Sequence, residues 1–135
     1  MSSKLAGVCL CGRVRFEVDG DFGPFFLCHC SRCRKDTGSA HAANLFVARG
    51  RLDWLAGQDC VTRFDLPGTR HTRCFCSACG SALPYARPGG AGLVVPAGSL
   101  DGTVGLRPGA HIFAASRADW DRALEQLPFF DRLPT

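Results

Sequence analysis

Seven of the nine cysteines in this 135-residue chain fall into three compact groups: Cys9-Leu10-Cys11, Cys28-His29-Cys30-Ser31-Arg32-Cys33 and Cys76-Ser77-Ala78-Cys79-Gly80. Thiols at such spacings suit metal ligation. Two residues between cysteines form a tight turn that aims both sulfurs at one point, and Gly80 supplies the positive φ that lets the chain leave the turn. One intervening residue puts Cys9 and Cys11 on the same face of an extended segment. Cys9, Cys11, Cys76 and Cys79 therefore make a closed tetrahedral set of the kind that holds a fold together. Cys28, Cys30 and Cys33 supply three sulfurs and leave a fourth position open to exchange.

Zinc with an exchangeable position lowers the pKa of a bound thiol or water and polarises a carbonyl. Three thiolates donate strongly, so such a zinc is a soft, weak Lewis acid better suited to a thiol than to activating water. Other readings of the middle group stay open. A hidden fourth ligand from Cys60, Cys74, His29, His41, His71 or His111 would make it a second structural site, and an iron–sulfur cluster also takes thiolates. His29, between two cysteines of an extended segment, points away from them and reads as a hydrogen-bonding neighbour. It is also a weak candidate for moving a proton. His111 lies in an apolar stretch and reads as a satisfied core histidine, and Cys60 as a small core hydrophobe. Asp36-Thr37-Gly38-Ser39 is a candidate pocket loop.

The elements that must position these groups are short. Sixteen glycines and eight prolines imply many turns and hence a mainly β chain. Val14, Phe16 and Val18 alternate with Arg13, Arg15 and Glu17, which predicts a half-buried strand. Asp19-Gly20-Asp21 and Arg49-Gly50 read as turns. Phe25–Leu27, Asn44–Val47, Leu93–Val95 and His111–Phe113 are apolar strand candidates. Leu52–Leu55 and Val61–Leu66 look like a further pair. Pro67-Gly68 marks a turn into Thr69–Phe75. One short C-terminal helix is predicted, capped by Ser116 with Asp119 completing the box. Trp120, Ala123, Leu124 and Leu127 form its core-facing stripe, and Pro128 ends it.

The length suits a single domain over residues 1–135. The formal charge of +4 suggests nucleic acid, but seven thiolates and two Zn²⁺ reduce it to +1, and no basic run or tail exists. The absence of a signal-peptide pattern or an apolar run of membrane-spanning length predicts a cytoplasmic chain with reduced thiols. There, metal binding is favoured over disulfides.

The segments C-L-C-G-R-V-R-F (9–16), C-H-C-S-R-C-R-K-D-T-G-S (28–39) and F-C-S-A-C-G-S (75–81), followed by Pro96–Asp101, Pro108, His111-Ile112-Phe113, Ser116-Arg117 and Trp120, carry a resemblance over nearly the whole chain. In them the chain resembles the glutathione-dependent formaldehyde-activating enzyme family, which includes centromere protein V. The resemblance implies a β-tent fold of several small coiled antiparallel sheets around two zincs per chain. It implies a structural zinc on Cys9, Cys11, Cys76 and Cys79, and a catalytic-type zinc on Cys28, Cys30 and Cys33. The implied activity is that of a carbon–sulfur lyase joining formaldehyde to a small thiol such as glutathione. It assigns no role to Cys60 or Cys74. A non-catalytic zinc domain for a protein or nucleic-acid partner is the alternative, and a thiol-rich redox or metal-handling protein is a third reading.

Overall fold

A computed structural model describes residues 3–134. In chain order its elements are β1 (Ser3–Val8), β2 (Arg15–Cys28), α1 (Ser31–Thr37), β3 (Ala42–Ala56), β4 (Val61–Asp65), β5 (Thr72–Cys76), β6 (Tyr85–Ala86), β7 (Leu93–Pro96) and β8 (Ala110–Ile112). The first sheet runs β1-β2-β3-β7-β6, with β8 added parallel to the end of β2; β4 and β5 form a separate hairpin. The protein is mainly β, as its turn-rich composition predicts.

The alternation in the opening strand holds. Val14, Phe16 and Val18 are buried, and with Leu45, Val47, Leu83, Leu93 and Val95 they make the main core. Pro67-Gly68 does turn β4 into β5, and Leu66 N–H donates to the His71 carbonyl across that turn (3.0 Å).

The two glycine turns are corrected. Asp19-Gly20-Asp21 lies inside β2 and Arg49-Gly50 inside β3, where Gly20 pairs with Gly50 and the register shifts just beyond. A Cβ at Gly20 would meet the Arg49 carbonyl at 2.3 Å. Facing glycines thus let two long strands approach closely and bend together without ending, as at a bulge. Leu52–Leu55 and Val61–Leu66 do not pair either. The former belongs to β3 against β2, while β4 pairs with β5.

The C-terminal helix is also corrected. The chain forms only 3₁₀ turns at Ala114–Ser116 and Leu124–Gln126, with Phe113 and Ala123 in the left-handed region. Trp120 is 60% exposed, and Leu124 and Leu127 are exposed with it. A short helix needs an apolar face buried against something, and this stripe has no core to meet. Among the described residues the one α-helix starts instead within the middle cysteine group.

Gly57 closes β3 at φ +73°, and a Cβ there would lie 2.1 Å from the Arg13 carbonyl oxygen. Gly57→Ala combines left-handed strain with a backbone clash. It is expected to cost about 2–4 kcal/mol, read as a lower urea midpoint with an unchanged slope.

Candidate metal centres and cleft

Two knuckles build the closed site. Beyond β1, Gly12 N–H donates to the Cys9 carbonyl (2.9 Å), and Val14 N–H donates to Cys9 Sγ (3.3 Å). Beyond β5, Gly80 takes φ +78° and donates to the Cys76 carbonyl (2.7 Å), which is the turn exit predicted for it. Leu10 N–H donates to Ser81 Oγ (2.9 Å) and ties the two knuckles together. The four sulfurs lie within 4.8 Å of one another, Cys9–Cys11 at 3.5 Å and Cys11–Cys76 at 3.9 Å. A tetrahedral zinc with bonds near 2.3 Å needs its sulfurs about 3.8 Å apart, so the set fits that ion. Hydrogen bonds from the Ser81 hydroxyl and N–H bring the Cys79 thiol down to about 5. For Cys9, burial opposes ionisation, but the Val14 N–H and the Cys11 and Cys76 sulfurs outweigh it.

The middle group straddles a strand end and a helix start. Cys28 ends β2, Cys30 is the N-cap of α1, and Cys33 sits in its first turn, its N–H donating to Cys30 Sγ (3.3 Å). The three sulfurs also lie within 4.8 Å. Among the described residues no further Cys, His, Asp or Glu joins either group. Burial pushes the Cys28 and Cys33 thiols up. Burial also resists ionisation of Cys30, but the Cys33 N–H overcomes it and its pKa falls. Binding a divalent cation would draw off the remaining protons.

His29 is 2% exposed. Its Nε2 meets His111 Nδ1 at 2.8 Å, and its Nδ1 lies at ion-pair distance (3.1 Å) from Asp121, outside hydrogen-bond geometry. The ring therefore faces away from the sulfurs, as a neighbour and not a ligand. His111 is corrected: it is exposed on β8 and not part of the core. Cys74 is buried in the main core, where desolvation raises its pKa, and Cys60 is half-buried against that core.

Two cavities meet at the middle group, of about 530 and 610 Å³. Cys33, Asn44, His71 and Tyr85 line both. The pocket-loop reading is corrected in part: Asp36 and Thr37 lie in the last turn of α1, and they line the smaller cavity with His41. Asp36 accepts from His71 Nε2 (2.5 Å), which places that ring's proton on Nε2. Burial, with Cys33 and Asp36 close by, pushes Tyr85 up to about 12, so its hydroxyl keeps its proton. Sequence reasoning saw His71 only as a spare ligand and missed Tyr85 and Asn44. No local pattern marks them, because β6 and the β4–β5 turn bring two of them to the cleft from far along the chain.

Two clustered thiol groups, one closed between the end of β1 and the β4–β5 hairpin and one opening into a cleft at the end of β2, define the class of protein. A sequence model described as glutathione-dependent formaldehyde-activating enzyme matches residues 4–116, and the chain belongs to that family. It is 36% identical over 126 residues to a protein of Halomonas elongata provisionally named a glutathione-dependent formaldehyde-activating enzyme, covering 86% of this chain and 78% of the relative. The crystal structure of a Rhodobacter sphaeroides protein shares the fold, with a TM-score of 0.55 at 23% identity over 79% of this chain and 99% of the other. No helix among the described residues is long and apolar enough to cross a membrane.

Proposed function

We propose that the chain is a zinc-dependent carbon–sulfur lyase that joins a small thiol, glutathione by family membership, to formaldehyde and releases them in reverse. The observation that carries this reading is the three-sulfur group that opens into the cleft and has, among the described residues, no fourth ligand grouped with it. A zinc held by Cys28, Cys30 and Cys33 would supply a soft Lewis acid with one exchangeable position, which lowers the pKa of an incoming thiol.

The chain's own groups supply the rest. Addition forms one C–S bond, turns the carbonyl into a hydroxyl and moves one proton from sulfur to oxygen. His71 lines both cavities and is oriented by Asp36, so its Nδ1 is the atom to carry that proton. The Tyr85 hydroxyl can donate to the carbonyl oxygen as charge builds there. Asn44 completes the shared wall. His29 lines neither cavity, so the proton role falls to His71.

The test is exchange NMR with ¹³C-formaldehyde and glutathione. Zinc-loaded protein should speed interconversion well above the uncatalysed background, and no acceleration would sink the reading. His71→Gln is expected to lower kcat by about 100-fold, with zinc content and unfolding midpoint unchanged. A rate within a few-fold of the parent would remove His71 from the mechanism.

A further inference from the structure

We infer that the larger cavity selects thiols that carry carboxylates, with Arg70 and Arg87 as its specificity-determining residues; this rests on the thiol-binding reading above. The lining of that cavity includes Cys28, Cys30 and Cys33 together with Arg32, Arg70 and Arg87, and among the described residues it includes no Asp or Glu. The three cations come from separate places: α1, the β4–β5 turn and the residue after β6.

What distinguishes the three is their place on one cavity wall without a carboxylate partner. Arg51 and Arg63 bond aspartates two residues along their own strands, and Arg73 approaches Asp36. Among the described residues, no ion pair engages Arg32, Arg70 or Arg87. The thiolate group itself does not account for all three. Three thiolates with one divalent cation carry a net charge of −1, which Arg32, next in sequence to Cys33, can balance. An incoming thiolate adds one more negative charge. The remaining positive charge faces a cavity of about 610 Å³, within the usual range of roughly 300–1,000 Å³ for small-molecule sites.

Arg87 is held ready. Its guanidinium lies 5.5 Å from the centre of the Phe46 ring, and its backbone N–H donates to the Gly92 carbonyl (2.7 Å). A guanidinium held over an aromatic face keeps its fork of donors free for a carboxylate. Arg70 is exposed at the turn and supplies the second charge at the mouth.

The test titrates zinc-loaded protein by calorimetry with glutathione and with glutathione diethyl ester, which keeps the thiol and masks both carboxylates. Cobalt-substituted protein reports separately whether each thiol reaches the metal. Glutathione is expected to bind about tenfold or more tightly than the ester, and added salt should narrow the gap. Arg70→Gln and Arg87→Gln should each weaken glutathione by about tenfold and leave the ester unchanged, while Arg87→Lys should recover part of the loss. Circular dichroism confirms that the variants fold, and Arg70→Gln, at an exposed position, reads the same effect without touching packing. Equal affinities for the two thiols overturn the inference while leaving thiol binding intact. So do variants that weaken both thiols alike. If neither thiol moves the cobalt bands, the proposed function fails and the selection falls with it.

Discussion

Cys76→Ser is expected to abolish the native fold. Cys76 is fully buried, ends β5, and belongs to both the four-sulfur group and the main core. Serine removes one thiolate donor and leaves a short hydroxyl where a sulfur filled space. Structural zinc contributes an apparent ~10–16 kcal/mol in small zinc domains, comparable to the whole stability of a typical domain, about 5–15 kcal/mol. A chain of this size has little in reserve against such a loss. Elemental analysis should find the closed-site zinc missing, and the cooperative unfolding transition should disappear. Cys11→Ser, at an exposed sulfur, should weaken the metal with less damage to packing. A Cys76→Ser protein that unfolds cooperatively near the parent midpoint would show that the closed group is not what holds the sheets together.

Cys33→Ala is expected to do the opposite: keep the fold and remove the activity. Cys33 belongs to a small satellite cluster with Cys28 and Ala42, apart from the main core, and it lines both cavities. Losing a buried sulfur costs at most a few kcal/mol, while two sulfurs cannot hold a three-ligand zinc. The variant should retain one zinc per chain, the closed-site ion, and its formaldehyde–glutathione exchange should fall to background. Retention of two zincs with full activity would move the reaction away from the middle group. Together the two expected outcomes would separate a metal that supports the structure from one that supports the chemistry.

The cysteine grouping was legible because ligand spacing is local: each knuckle needs only a turn of two to four residues to aim its sulfurs. The alternation of Val14, Phe16 and Val18 was legible for the same reason, since one strand shows its two faces in six residues. Gly20 and Gly50 misled because glycine signals close approach as well as reversal, and only the partner strand reveals which. The stripe from Trp120 to Leu127 misled because periodicity predicts a helix only where a core exists to cover it. The cleft was least legible. His71, Tyr85 and Arg87 reach it through the β4–β5 turn and the short β6, and nothing in their immediate neighbours says that they converge.

The two thiol groups differ in how far apart their members lie along the chain. Cys28 and Cys33 are five residues apart, while the closed site joins Cys11 to Cys76 across 65. A short segment closes in well under a microsecond, and a long one pays a larger closure entropy. During synthesis at about 5–20 residues per second, the 43 residues from Cys33 to Cys76 take roughly 2–9 s to appear. Throughout that interval the open site has all of its sulfurs and the closed site only half. On the proposed reading, an ion at the open group can therefore be acquired while the chain is still growing, and an ion at the closed group only after Cys79 has appeared.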